Sequence, residues 1–242
     1  MQPIEERGYV IPAFNTPTVD YYQLAMRLRK SILEKNSKSN VVIIELLKNM
    51  QDYGGYANDI HAFYNTPFRQ TIKLEADMLV TSPIDHWWTM FEHRDVVIST
   101  GCRDFYDQPA ESRFYRRVFD DNDLPDVYNA ITYWRRSHLA TEFFGLVRNI
   151  FEHWDRYIKL LKFCDEPAST DLVYAMAAKI IGPELVTMPF TSYPKIVHMK
   201  KHIVPIGTNN WTKELVWETD PLRVQTVAQW GAFHYHIKDW QP

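Results

Sequence analysis

The chain has 242 residues, of which 45% are hydrophobic, 24% charged and 14% aromatic, and its formal net charge is −3. This composition is typical of a folded globular protein and excludes a disordered chain, a collagen and a coiled coil. The net charge gives no general electrostatic reason to bind nucleic acid or an anionic membrane surface, and two cysteines without a C-x-x-C spacing exclude a disulfide framework and a thiolate zinc site.

The sequence shows neither a recognisable signal peptide nor a membrane-spanning segment. The segment from Met1 to Arg7 lacks the basic flank and apolar core of a signal peptide, and no apolar run approaches the roughly 18 residues of a membrane span. We therefore expect a cytoplasmic protein with no membrane partner. The two usual glycine-rich phosphate-binding loops are also missing from the sequence, so a nucleotide would have to be held in another way.

The N-terminal part of the chain predicts a β-α-β unit. Residues 9–14 form a short apolar run with strand character, and residues 21–32 carry apolar side chains at helical spacing. Val41-Val42-Ile43-Ile44 then has the uninterrupted β-branched pattern of a buried strand. Because two parallel strands need a crossover of a dozen or more residues, the helix between them predicts one parallel sheet.

Two further strands and a helix follow. Residues 71–74 predict a strand that runs directly into Glu75-Ala76-Asp77, and residues 96–98 predict the next strand. Between them, Ser82 and Pro83 are typical of a helix start, and the predicted helix continues to Phe91.

The second half of the chain predicts longer helices and no internal repeat. Its expected elements are an irregular segment over 101–126, a strand over 127–134, one long helix over 140–161, a helix over 169–180 capped by Ser169, and extended segments that end at His198 and cover 234–238. The whole chain, residues 1–242, is expected to form a single α/β domain.

Polar residues that follow the predicted strands are the candidates for chemistry, because open α/β sheets bind ligands at the carboxyl ends of their strands. Such residues include Asn15, the Glu75–Asp77 pair and the histidines 198, 234 and 236. In an extended segment, residues i and i+2 point to the same side, so Glu75 and Asp77 can converge on one cation. Oxygen ligands with at most one imidazole favour Mn²⁺ or Mg²⁺ over zinc. The alternative is that the pair is only a polar strand end.

Five short motifs, taken in order along the chain, resemble the metal-dependent GT-A glycosyltransferases, especially the glycogenin-like group and its phage-encoded relatives. The motifs are Ala13-Phe14-Asn15 with Tyr21 and Ser31; Thr71 to Met78 with Pro83; Tyr128-Asn129-Ala130-Ile131; Ser169-Thr170-Asp171-Leu172; and Lys195 to His198 with Lys200 and Trp211. His236 to Trp240 resembles the last motif equally well. Two departures are a Glu in place of the usual first Asp, at position 75, and the missing glycine of the third motif.

The resemblance implies a GT-A-like domain with a mixed, mostly parallel central sheet flanked by helices, and it implies sugar transfer from a nucleotide-diphosphate donor to a hydroxyl acceptor. It assigns Phe14, Asn15 and Tyr21 to the nucleoside, Lys73 and Lys200 to the diphosphate, and Asp171 to catalysis. Glu75 is assigned to the donor through a ribose hydroxyl, or to the metal. Mn²⁺ or Mg²⁺ is expected on Asp77 and Glu75, with His198 or His236 as the third ligand.

The acceptor and two rival functions stay open at this point. The phage-encoded relatives suggest a hydroxymethylated base of phage DNA, which would place the protein in the host cytoplasm, and a glycan or polysaccharide is the alternative acceptor. A sugar nucleotidyltransferase and a non-catalytic nucleotide-sugar-binding protein are the rival functions. The arginines at 113, 116, 117, 135 and 136 lie near several aspartates, which predicts an ion-paired surface, with a grip on DNA as the alternative.

Overall fold

The structure is a computed structural model of the chain. It describes residues 5–45, 58–101, 116–162, 164, 167–188, 196–198, 204–205, 214–220, 223–228 and 232–235. The strands are β1 (Glu5–Ala13), β2 (Val41–Glu45), β3 (Phe68–Leu74), β4 (Met78–Val80), β5 (Val96–Thr100), β6 (Val127–Arg135), β7 (Ile196–His198), β8 (Val204–Pro205), β9 (Glu214–Asp220), β10 (Arg223–Ala228) and β11 (Ala232–His234).

The helices alternate with these strands in the first three quarters of the chain. They are α1 (Tyr21–Lys35), α2 (Asn58–Asn65), α3 (His86–Phe91), α4 (Arg117–Asp121), α5 (His138–Glu152), α6 (Trp154–Tyr157), α7 (Thr170–Ile181) and α8 (Pro183–Val186), with a 3-10 turn at Ile158–Leu160. None of the helices in the described part of the chain combines the length and the apolar character that a membrane crossing requires.

A five-stranded sheet with the order β2-β1-β3-β6-β5 forms the centre of the fold. β1 pairs in parallel with β2 and β3, whereas β6 is antiparallel to both β3 and β5. It follows that β6 runs against the other four strands of this sheet. The α/β class and the mixed, mostly parallel sheet expected from the sequence are confirmed. Two small sheets, β4-β11-β7 and β10-β9-β8, accompany the central one.

Helices cover both faces of the central sheet. α1 and α3 pack on one face, where Leu28 and Trp88 join Tyr9 and Ile11 of β1 in one apolar cluster. α2, α5 and α7 pack on the other face, where Val10 of the same strand belongs to a second cluster. The alternation of Tyr9, Val10 and Ile11 is the period-two pattern of a strand that is buried on both sides.

α3 begins later than the sequence predicts, so the expected start at Ser82 and Pro83 is wrong. The helix starts at His86, and the residues before it are used to anchor the chain to the end of α1. The Ile84 N–H donates to Asn36 Oδ1 at 2.9 Å, and the Asp85 carboxylate accepts a hydrogen bond from the Ser39 hydroxyl at 3.1 Å. Asp85 occupies the N-cap position of α3, but its side chain makes no hydrogen bond to the backbone of the helix.

The single long helix predicted over 140–161 is also wrong, because α5 ends at Glu152 and a short helix and a 3-10 turn follow it. The helix ends where His153 leaves the helical region, at φ −123° and ψ 34°. α7, in contrast, confirms its prediction: Ser169 accepts a hydrogen bond from the Leu172 N–H, and Gly182 ends the helix at φ 115°. The hairpin of β9 and β10 was not predicted from the sequence.

Candidate metal centre

One edge of the central sheet collects chain ends from several strands. β1, β3 and β5 end at this edge, and β6 begins there because it runs the opposite way. Leu74 pairs with Ile131, and the Glu75 N–H donates to the Ala130 carbonyl at 3.3 Å. The residues that follow β3 therefore lie beside the first residues of β6.

The segment after β3 is fixed by contacts to α1 and to the C-terminal strand β11. The Val80 N–H donates to Ser31 Oγ at 3.0 Å, and the Tyr235 N–H donates to the Asp77 carbonyl at 3.0 Å. β4 and β11 are antiparallel, with Met78 opposite His234. This pairing brings a histidine from the end of the chain to the Glu75–Asp77 segment.

Glu75, Asp77 and His234 form a compact group of potential metal ligands. His234 Nε2 lies 3.2 Å from Glu75 Oε2 and 3.1 Å from Asp77 Oδ1, and one donor atom from each residue lies within 4.8 Å of the others. Two ligand atoms at about 2.1 Å from an octahedral ion and at a right angle to each other are about 3 Å apart. Two carboxylates and one imidazole are a donor set for Mn²⁺ or Mg²⁺. The residues thus fit the ion that the sequence predicts.

The environment of His234 keeps its ring in the form that binds metals. Burial lowers the pKa of His234, and the nearby Glu75 and Asp171 carboxylates oppose this shift. A lowered pKa leaves the imidazole neutral at pH 7, which is the ligand form. On the other side of the ring, the Tyr128 hydroxyl lies 3.4 Å from Nδ1. A partner at this nitrogen fixes the orientation of the ring.

Asp171, the predicted catalytic residue, lies in the first turn of α7 and points to the start of β6. Its Oδ1 accepts a hydrogen bond from the Asn129 N–H at 2.9 Å, and its Oδ2 lies 3.3 Å from Arg116 Nη1. Burial raises the pKa of Asp171, and the charges of Arg116 and Lys73, together with the hydrogen bond from the Asn129 N–H, act in the opposite direction. The carboxylate is therefore held at both oxygens.

Lys73 is buried beneath this group. It is 1% exposed, and its Nζ donates to the Asn129 carbonyl at 2.7 Å. Asn129 thus connects Lys73, through its carbonyl, with Asp171, through its N–H. In this placement the ammonium acts on the site through its charge. The direct contact of Lys73 with a donor phosphate stays a prediction.

Of the predicted nucleoside residues, Phe14 and Asn15 directly follow β1, and Tyr21 is the first residue of α1. Phe14 and Tyr21 are half-buried and Asn15 is exposed. The Asn15 side chain accepts a hydrogen bond from the Tyr22 N–H at 2.9 Å, so it helps to hold the start of α1. Their role in binding a nucleoside stays a prediction.

The structure describes the surroundings of the predicted third metal ligands only in part. Lys200 and His236 lie outside the described residues, and His198 ends β7, where its backbone is in register with His234 of β11. Among the described side chains, His234 is the imidazole that joins Glu75 and Asp77. His234 and His236 are two residues apart, and in an extended segment both point to the same side. The spacing could therefore not distinguish them.

The sequence analysis gave two more members of the site no role in it. Tyr128 entered only as part of a motif, and Arg116 only as part of a group of arginines predicted to form an ion-paired surface. Arg117 pairs with Asp121 at 2.8 Å and Arg135 pairs with Asp95, as expected for an ion-paired surface. Arg116 is different because it is 1% exposed. Its place in a run of arginines gave no signal of burial.

Comparisons with known proteins return structural similarity only. No family model matches the chain, and no curated protein matches it. Among solved structures, the chain is similar to mouse xyloside xylosyltransferase 1, with 12% identity, a TM-score of 0.49, and 82% of this chain and 89% of that chain covered. It is also similar to a glycosyltransferase involved in glycosylation of the major capsid of PBCV-1, with 10% identity, a TM-score of 0.46 and coverages of 76% and 80%.

A third similar structure is a glycosyltransferase of Streptococcus pneumoniae, with 8% identity, a TM-score of 0.46, and coverage of 76% of this chain and 46% of that chain. With identities of 8–12% and TM-scores of 0.46–0.49, these similarities assign neither a family nor an activity to this chain, and its chemistry has to follow from its own side chains.

Proposed function

We propose that residues 1–242 form a single GT-A-like domain that transfers a sugar from a nucleotide-diphosphate donor to a hydroxyl acceptor with the help of Mn²⁺ or Mg²⁺. The observation that carries this proposal is the convergence of Glu75, Asp77 and His234 at the carboxyl edge of the sheet, with one donor atom of each within 4.8 Å of the others. Open α/β sheets bind their ligands at this edge. Carboxylates with one imidazole suit an ion that binds a diphosphate.

The chemistry divides between the ion and the protein. A bound Mn²⁺ or Mg²⁺ would neutralise the negative charge that collects on the diphosphate when the bond to the sugar breaks. Glu75, Asp77 and His234 would hold the ion, and Tyr128 would orient the imidazole through Nδ1. Asp171 supplies a fixed carboxylate that can accept a hydrogen bond from a sugar hydroxyl or stabilise positive charge on the anomeric carbon.

The first test measures turnover of donors and compares acidic residues. The protein is incubated with Mn²⁺ and a panel of nucleotide sugars, and release of nucleoside diphosphate is measured. Asp77→Asn is expected to lose about a thousandfold in kcat, since a metal contributes several kcal/mol to stabilising the transition state and each 1.4 kcal/mol is about tenfold. Asp121→Asn is the matched control, because Asp121 lies on α4 and pairs with Arg117. Equal activity of the Asp77 variant and the wild type would contradict the proposal.

A second arm identifies the third ligand by titrating Mn²⁺ into three variants and measuring binding by electron paramagnetic resonance. His234→Gln is compared with His198→Gln and His236→Gln, the ligands predicted from the sequence. We expect the largest loss of Mn²⁺ affinity in the His234 variant, since its Nε2 faces both carboxylates. A larger loss in either comparison variant would assign the site to that histidine instead.

A third arm addresses the acceptor and the rival functions. Transfer is assayed with a hydroxymethylated DNA duplex and with a panel of glycans, because both acceptors offer the hydroxyl that the proposed reaction needs. Formation of a nucleotide sugar from a sugar phosphate and a nucleoside triphosphate would instead indicate a nucleotidyltransferase. Binding of donor without turnover on any acceptor or water would indicate a non-catalytic binding protein.

A further inference from the structure

A buried arginine bridges two aspartates next to the candidate metal centre. Arg116 Nε and Nη2 donate to Asp126 Oδ1 at 2.9 and 2.6 Å, and Nη1 lies 3.3 Å from Asp171 Oδ2. Nη2 also donates to the Val127 carbonyl, and the guanidinium carbon lies 3.9 Å from the centre of the Phe119 ring. The guanidinium is thus fixed by polar contacts to Asp126, Asp171 and the Val127 carbonyl and by stacking on the Phe119 ring.

Stability alone is a poor reason for this arrangement. The Arg116 side chain is 2% exposed, so its charge has left water almost completely. Burying a charged group costs free energy, and well-packed apolar side chains often stabilise a protein as much as a buried ion pair does. The burial of Arg116 between two aspartates is better explained if one of these aspartates must be held in a defined position.

Asp171 is that aspartate. Its Oδ2 lies beside Arg116 and its Oδ1 accepts the Asn129 N–H, so both oxygens of the carboxylate are fixed by groups outside α7. Asp126, at the far end of the bridge, is on the loop before β6 and fixes the guanidinium in turn. The chain of contacts runs from Asp126 through Arg116 to Asp171. Asp171 in turn accepts the N–H of Asn129, the residue after Tyr128, whose hydroxyl lies 3.4 Å from His234 Nδ1.

We propose that Arg116 is a positioning residue for the transfer reaction, which holds the Asp171 carboxylate in place beside the metal centre. This inference rests on the proposed function. Among the described residues, the polar contacts of the Arg116 side chain are to Asp126, Asp171 and the Val127 carbonyl, so its effect on the reaction runs through Asp171. Lysine cannot replace it, because a single ammonium cannot donate along two directions of a planar fork to Asp126 and Asp171 at once.

The test combines kinetics with a double-mutant cycle. Arg116→Lys is expected to lower kcat by about 10- to 100-fold, since a displacement of about 1 Å in a reacting geometry can cost 100-fold. The KM for the donor and the Mn²⁺ affinity are expected to change by less than about threefold, because the metal ligands are untouched. Arg117→Lys is the matched control on the neighbouring residue, whose side chain is 59% exposed, and it should leave kcat unchanged.

The cycle shows whether Arg116 acts through Asp171. In an Asp171→Asn background, Arg116→Lys should cause no further loss of kcat, because the carboxylate that it positions is gone. An equal loss in both backgrounds, an unchanged kcat in the wild-type background, or a higher KM with unchanged kcat would each overturn the proposal. If Arg116→Lys does not fold, Asp126→Ala removes the carboxylate that anchors the far side of the guanidinium and is subject to the same three criteria.

A readout without catalysis separates this inference from the proposed function. The Asn129 N–H donates to Asp171 Oδ1, so its amide proton shift in selectively ¹⁵N-labelled protein reports the position of the carboxylate. If the wild type transfers no sugar, the proposed function fails, and the amide shift then decides the inference. A shift that moves in Arg116→Lys and not in Arg117→Lys supports positioning of Asp171 by Arg116. An unmoved shift overturns it.

Discussion

The two ends of strand β6 belong to different parts of the molecule. At its C-terminal end, Tyr133 and Trp134 are at most 1% exposed and pack on opposite faces of the sheet. The Tyr133 ring centre lies 5.3 Å from that of Phe91, and the Trp134 ring centre lies 5.2 Å from that of Phe144. At its start, Tyr128 and Asn129 make polar contacts instead, to His234 and to the Asp171 carboxylate. The same strand thus joins an aromatic core to a charged site.

This difference shows how two kinds of burial arise. The aromatic end is buried by the hydrophobic effect, which favours any packing of the helices that removes these side chains from water. The polar end is buried only because residues distant in sequence compensate one another, with Lys73, Arg116, Asp171 and His234 coming from four separate segments. The aromatic end should therefore govern stability, and the polar end should govern activity.

The largest effect on stability is expected from the aromatic end. Phe144 stacks on Phe63, with ring centres 4.2 Å apart and planes 14° apart, and it is fully buried. Phe144→Ala should lower the free energy of unfolding by about 3–5 kcal/mol, since it leaves a cavity between α5 and the sheet. Denaturant unfolding followed by circular dichroism measures the change.

The control for this change is Tyr64→Ala, because Tyr64 is 49% exposed and also contacts Phe63. It should alter the free energy of unfolding by less than about 1 kcal/mol. In the folded fraction of the Phe144 variant, Mn²⁺ affinity should match the wild type. A loss of affinity with little loss of stability would contradict the division of roles along β6.

The polar end of β6 is tested by a smaller change, Tyr128→Phe. It removes the hydroxyl that lies 3.4 Å from His234 Nδ1 and leaves the ring in place. We expect Mn²⁺ affinity to fall by about tenfold, because partners of a ligating imidazole typically contribute 10- to 100-fold to metal affinity. Isothermal titration with Mn²⁺ measures this, and the free energy of unfolding should stay nearly constant.

Tyr157→Phe is the matched control for the loss of a tyrosine hydroxyl. Its hydroxyl donates to Asn149 Oδ1 at 2.8 Å on the exposed side of α5 and α6. Mn²⁺ affinity should be unaffected in this variant. An unchanged affinity in Tyr128→Phe as well would show that the ring of His234 is held by its backbone and the carboxylates alone.

The same contrast explains what the sequence could predict. The strands β1, β2 and β5 follow from short apolar runs, and β3 and β6 follow from segments of extended character that mix apolar and polar residues. The helices α1 and α7 follow from helical spacing, with Asp20 and Ser169 as caps in the structure. Local patterns were enough because each of these elements is buried by its own side chains. The start of α3 was missed because contacts with the distant residues Asn36 and Ser39 hold the chain before it. The end of α5 was missed because the apolar helical spacing continues past His153, where the backbone leaves the helical region.

The candidate site was predictable only in part, for the same physical reason. Glu75 and Asp77 are two residues apart at a strand end, so one short segment reveals them. Asp171 entered through a resemblance, and Asn129 connects it to Lys73 across three segments of the chain. His234 depends on the pairing of β11 with β4, and Arg116 depends on where its loop is buried. Neither this strand pairing nor this burial can be predicted from the spacing of residues within a short segment.

The smallest effect concerns two glycines in the helices that cover the aromatic core. Gly145 lies inside α5, and a Cβ added there would have no atom within 4 Å, so Gly145→Ala should raise the free energy of unfolding by about 0.5–1 kcal/mol. Gly182 ends α7 at φ 115°, where a Cβ would lie 2.8 Å from Glu184 Oε1, so Gly182→Ala should lower it by about 1 kcal/mol. Thermal unfolding of both variants gives the two signs. Equal signs would contradict the open space around a Cβ at position 145. Turnover should stay at the wild-type level in both variants, because neither glycine touches the charged end of β6.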